Sequence, residues 1–77
     1  MKKYFKEKPL DLHTIKHSDV ILLVENYVFC HQNSFPLEII TGDSDKMKSI
    51  VIDCLKKHKF KYQIGDQYNK GYIIILK

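Results

Sequence analysis

The sequence of 77 residues contains no arginine: all thirteen of its cations are lysines. The planar guanidinium fork that grips guanine edges or phosphates through two parallel hydrogen bonds is therefore excluded, and every side-chain contact to an anion is a contact to a point charge. Cysteine is scarce too, with Cys30 and Cys54 as the only two. Both fall on expected helices, where a free thiol behaves as a small buried hydrophobe, so no disulfide is expected. The pair spacing of structural zinc motifs is lacking, and with four scattered histidines no zinc site is expected. No apolar run approaches the ~18 residues of a membrane span. The Met1-Lys2-Lys3 start runs into charge and Pro9, unlike the apolar stretch of a signal peptide. These absences lead to the expectation of a soluble, cytoplasmic protein that needs no membrane.

What is present suits one small domain with one core, since 77 residues lie near the lower size at which a core alone holds a fold. Apolar residues make up 44% and charged residues 29%, values of a globular chain rather than a disordered one. Against nine acidic residues the lysines leave a formal charge of +4, which favours anionic partners such as nucleic acid. Residues 1–9 read as a basic arm, with Lys2, Lys3, Lys6 and Lys8 interleaved with Tyr4 and Phe5. The domain proper then covers residues 10–77.

Leu10-Asp11-Leu12-His13 alternates apolar and polar residues and predicts a strand with Asp11 and His13 on one face. From Asp19 to Cys30 the length of the apolar segment predicts a helix, with Ser18 or a neighbour as its cap and Asp19 in its first turn. Pro36 opens a β-branched strand, Leu37 to Thr41. Gly42-Asp43-Ser44-Asp45 is a turn carrying helix-capping residues, and Met47, Ile50, Val51, Cys54, Leu55 and His58 then recur at helical spacing. Phe60 to Ile64 alternates as a third strand. After a turn-rich connection, Tyr72 to Leu76 is an apolar run suited to a buried central strand.

The predicted order β-α-β-α-β-β is that of an α/β chain folded as an α+β two-layer sandwich. Its sheet is expected to be four-stranded and mixed, with two helices on one face. The crossover rule makes the first two strands parallel, and the last two form a hairpin. Ligand crevices lie outside the carboxyl ends of parallel strands, which brings Asp11, His13 and the Gly42 turn toward one edge. There an imidazole beside a carboxylate can move a proton near neutral pH, and the Thr41-Gly42-Asp43-Ser44 turn leads into a helix N-terminus able to hold a phosphate. A competing structural reading has Asp43 or Ser44 occupying that N-terminus as a cap. His17, His31 and His58 have no partner fixed by sequence. Lys56, Lys57 and Lys61, with Lys2 and Lys3, are the candidate nucleic-acid contacts.

Leu10-Asp11-Leu12-His13 matches the Leu-Asp-x-His motif that opens small MutS-related (Smr) domains. Ile39-Ile40-Thr41-Gly42 matches the strand and turn of their Thr/His-Gly-x-Gly motif, and Tyr72 to Leu76 resembles their closing strand. The chain from about residue 9 to 77 thus resembles this family. The resemblance implies a fold similar to the C-terminal domain of a bacterial translation initiation factor, and nucleic-acid binding with DNA-nicking or RNA-cleaving activity in several members. It further implies that Asp11 and His13 would be catalytic, with Asp11 orienting the imidazole or holding a divalent metal, and that Thr41, Gly42 and Ser44 would cradle the phosphate. Three positions depart from the family pattern: Thr14 stands where glycine usually follows the motif histidine, Ser44 replaces the second loop glycine, and acidic Asp43 lies between them. The alternative is a catalytically inert protein-interaction module, such as a homodimer through the open sheet face, with Asp43 blocking the anion site.

Overall fold

A computed structural model of the chain describes residues 7–65 and 71–76. Six elements follow in the expected order: β1 (Leu10–Asp11), α1 (His17–Cys30), β2 (Leu37–Ile40), α2 (Asp45–Lys57), β3 (Tyr62–Ile64) and β4 (Tyr72–Ile75). They form one four-stranded sheet in the order β1-β2-β4-β3. β1 runs parallel to β2 with Leu10 opposite Ile39, while β4 is antiparallel to both β2 and β3. The arm residues Lys2, Lys3, Tyr4, Phe5 and Lys6 lie outside the described residues.

The register explains the core. Leu37 faces Ile75 and Ile39 faces Ile73, so these four side chains share one face of the sheet, and all four are buried. Val20, Val24 and Val28 of α1 and Met47, Val51, Cys54 and Leu55 of α2 complete the cluster, which places both helices on that face. Burial of each such aliphatic side chain contributes about 1.5–3 kcal/mol. The opposite face carries Asp11, Glu38, Ile40, Gln63, Tyr72 and Ile74 by the same register. Glu38 is nevertheless only 2% exposed, so this face is not simply open to solvent.

Helix α2 matches its sequence signals closely. The Ser44 hydroxyl accepts from the Met47 N–H at 3.0 Å, Asp45 occupies the first turn, and Lys56 and Lys57 the last. Its end is a Schellman motif: the Lys59 N–H donates to the Lys56 carbonyl at 3.0 Å and the Phe60 N–H to the Leu55 carbonyl at 2.9 Å. That geometry requires a left-handed residue, and Lys59 supplies it at φ 62°. A side chain in this region costs about 1–2 kcal/mol relative to glycine. Lys59→Gly is therefore expected to stabilise the protein by about 1 kcal/mol, read as a higher urea midpoint at unchanged slope; a lower midpoint would contradict the motif.

Helix α1 departs from expectation at both ends. It begins at His17 with Lys16 as N-cap, so Ser18 is inside the first turn and no side chain caps the start. Lysine has no acceptor to offer; the turn is closed by the Asp19 N–H donating to the Lys16 carbonyl at 2.9 Å. Cys30, expected to be buried, is exposed. Two residues beyond Val28 is about 200° around the helix, which turns Cys30 away from the Val20, Val24, Val28 stripe. Leu22 and Phe29 are likewise turned from that stripe and exposed, and Ile21 is half exposed at its flank. Both cysteines are free thiols, and no helix among the described residues is long and apolar enough to cross a membrane.

Candidate functional site

The carboxyl ends of the adjacent parallel strands β1 and β2 bring the two sequence motifs together. The Leu12 N–H donates to the Ile40 carbonyl at 2.8 Å, extending the pairing one residue past β1 and burying Leu12. The chain then turns at His13. Its backbone N–H donates to Asp11 Oδ1 at 3.1 Å, and its ring Nδ1 hydrogen-bonds the same oxygen. Asp11 thus closes an Asx-type turn and fixes an imidazole at once. The side-chain hydrogen bond from His13, then the backbone one, holds the Asp11 carboxyl below its ordinary 3.8, so it is ionised at neutral pH. Both side chains are well exposed. With Nδ1 engaged by the carboxylate, Nε2 is the ring nitrogen available for chemistry.

Gly42 lies against this pair. A Cβ built on it would sit 3.5 Å from the His13 Cβ, and its φ of 70° is a conformation that glycine adopts without strain. The Thr41 and Gly42 N–H groups both donate to the Gly71 carbonyl, at 2.8 and 2.9 Å, which ties the turn to the start of β4. The Thr41 side chain is buried, and its hydroxyl donates to the Gly42 carbonyl at 3.0 Å. In this arrangement the Thr41 hydroxyl is engaged within the turn. Ser44 is the helix cap, whereas Asp43 is exposed. The Asp45 and Lys46 N–H groups of the first turn are beyond reach of any helical carbonyl, and with the helix dipole they form the anion-attracting end of α2, three residues after Gly42.

Two of the three positions that depart from the expected motif, Thr14 and Ser44, are compatible with this backbone. Thr14 has a negative φ, since Lys59 is the one non-glycine residue with positive φ among the described residues. Ser44, at φ −73° and ψ 114°, has the extended conformation of an N-cap. No family model matches the chain, and neither does a curated protein or a solved structure.

The remaining candidates lie elsewhere. Lys56 and Lys57 occupy the far end of α2, roughly 20 Å from its N-terminus at 1.5 Å per residue, and Lys61 follows just beyond. The basic cluster is therefore separate from the Asp11–His13 edge, while Lys2 and Lys3 lie outside the described residues. His17 opens α1 and is exposed. His31 sits 3.5 Å from Glu7 and edge-on to Tyr27.

A cluster not anticipated from the sequence joins the two helices. His58 Nε2 lies 2.8 Å from Glu25 Oε2, and with Cys54 Sγ these atoms all fall within 4.8 Å of one another. Burial pushes the Cys54 thiol above its ordinary 9.0, the Glu25 carboxylate adds to this, and Lys57 opposes it. The spacing of Cys54 and His58, four apart on one helical stripe, was a usable signal. Glu25 carried none, because its partner is 33 residues away.

Proposed function

We propose that this is a nucleic-acid-binding domain of Smr type in which the Asp11, His13 and Gly42 edge acts on a phosphodiester as an endonuclease. The observation that carries the reading is His13 held by Asp11 against the Gly42 turn, which leads into α2. A phosphate seated on the first-turn amides would lie near Nε2. His13 would take the proton of the attacking hydroxyl or water, the new P–O bond would form as the bond to the leaving oxygen breaks, and the same imidazole could return the proton to that oxygen. Asp11 has its Oδ1 committed to His13, which supports an orienting role that also stabilises the imidazolium. Lys46 beside the turn and the Lys56, Lys57 and Lys61 group would track the backbone as point charges.

Binding to RNA and DNA homopolymers, followed by fluorescence anisotropy, tests this reading. Affinity should be weak, indifferent to sequence and steeply salt-dependent. If about three phosphates of a single strand are neutralised, a fourfold rise in salt should weaken it roughly 20-fold. Asp43→Asn should strengthen it roughly two- to fivefold by removing an anion from the helix N-terminus. Salt-insensitive binding, or none at low ionic strength, would overturn the reading. A second reading, an inert interaction module, draws support from Ile21, Leu22 and Phe29, exposed on α1 at 45–64%. It is what remains if no polynucleotide binds.

A further inference from the structure

We infer that Glu25, Cys54 and His58 form a zinc(II) site that ties α1 to α2, with Glu25 Oε2, Cys54 Sγ and His58 Nε2 as its three protein ligands and water in the fourth position. The atoms are already gathered, all within 4.8 Å of one another. In tetrahedral coordination at about 2.0–2.3 Å, ligand atoms stand roughly 3.3–3.7 Å apart, so small side-chain rotations suffice. Cys54 on α2 and His58 at its C-cap are four residues apart, the spacing by which two residues of one helix face grip a single metal. Glu25 approaches from the facing helix, so the metal would bridge elements now joined by side-chain packing and the Glu25–His58 hydrogen bond.

The donor set selects the metal class. A thiolate and an imidazole disfavour calcium and magnesium, which take oxygen ligands, and one sulfur, one nitrogen and one carboxylate oxygen suit zinc. Thiolate and carboxylate together balance its two positive charges, and the proton released by the Cys54 thiol passes to solvent. The surroundings fit a bound ion. Val24, Val28 and Leu55 close the inner side, and the Phe29 and Phe60 rings flank His58 at 5.1 and 6.2 Å. Glu25 and His58 each keep 26% of their side chain exposed, which leaves a path for the ion and for the water. Asp53 and Lys57 line the groove on the far side of Cys54 with opposite charges. A domain of this size gains more than a large one from such a staple.

The test uses the full chain, reduced and stripped with a chelator, and titrated with cobalt(II) and then zinc(II). One equivalent of cobalt should bind with a thiolate-to-cobalt charge-transfer band in the near ultraviolet, and zinc should displace it. Cys54→Ser should abolish the band, whereas Cys30→Ser and His13→Ala should keep it. Loss of outer-shell partners alone costs roughly 10–100-fold in metal affinity, so Glu25→Gln and His58→Ala should each weaken zinc binding at least ~100-fold. The inference is overturned if the parent shows no charge-transfer band, if the band disappears in Cys30→Ser, or if Glu25→Gln binds zinc as the parent does. Should Cys54→Ser fail to fold, the parent, Cys30→Ser and Glu25→Gln still decide the matter.

Discussion

His13→Ala is expected to lower the rate of polynucleotide cleavage by roughly 10²–10⁴-fold while leaving the affinity for the same polynucleotide within about twofold. The split follows from the geometry. In the proposed reaction His13 would contribute a proton-transfer atom, Nε2, and no charge contact that ground-state binding depends on, because phosphate capture would fall to the first turn of α2 and to lysines. Asp11→Asn should lose a similar factor for a different reason: the amide fills the same space but neither fixes the Nδ1–H tautomer as strongly nor balances the imidazolium formed in the transition state. Since Asp11→Asn also removes an anion from the phosphate edge, its binding should stay equal or tighten. Single-turnover cleavage of RNA and DNA hairpins beside anisotropy measurements separates the two effects. Cleavage by both variants at the parental rate would exclude this edge as the active centre. A parent inactive on both substrates across pH and divalent metals would remove the nuclease step and leave the binding proposal to its salt test.

Much of this edge was legible in the sequence because its determinants are local. Leu10 and Leu12 alternate with Asp11 and His13, Leu37 to Ile40 is apolar and β-prone, and Ser44 stands three residues before a clean helical stripe. With the crossover rule, those signals suffice to put His13 beside Gly42. What the sequence concealed depends on packing across the chain. Nothing near Thr41 shows that its hydroxyl turns inward to the Gly42 carbonyl. Glu38 alternates as a solvent-facing residue should, and yet it is buried. Cys30 looked like core because α1 is apolar on several sides; only the position of α2 and the sheet decides which stripe is used, and Val20, Val24 and Val28 win. Glu25 and His58 meet over 33 residues, a distance at which no periodicity leaves a trace.

Ile39→Ala should be among the most destabilising single changes in this protein, at about 2–5 kcal/mol. Ile39 is fully buried at the middle of β2, with Leu10 on one side, Ile73 on the other and the helices above, so truncation removes buried methyl groups and leaves a void that three elements must shift to fill. A domain of this length has a total stability of roughly 4–12 kcal/mol, and the substitution therefore consumes a large share of it. Ile64→Ala is the informative comparison. By register Ile64 shares the core face with Ile73, but it lies on the edge strand β3 and is 44% exposed, so its loss should cost about 0.5 kcal/mol or slightly more. Urea unfolding should show a much lower midpoint for Ile39→Ala at unchanged slope and a nearly parental one for Ile64→Ala. Equal costs would contradict the packing of the helices over β2. The same variant also checks the functional reading, because β2 holds Leu12 through the Ile40 carbonyl and carries the Gly42 turn at its end. On warming, Ile39→Ala should lose cleavage and folded circular-dichroism signal together, at a temperature where His13→Ala is still folded and already inactive.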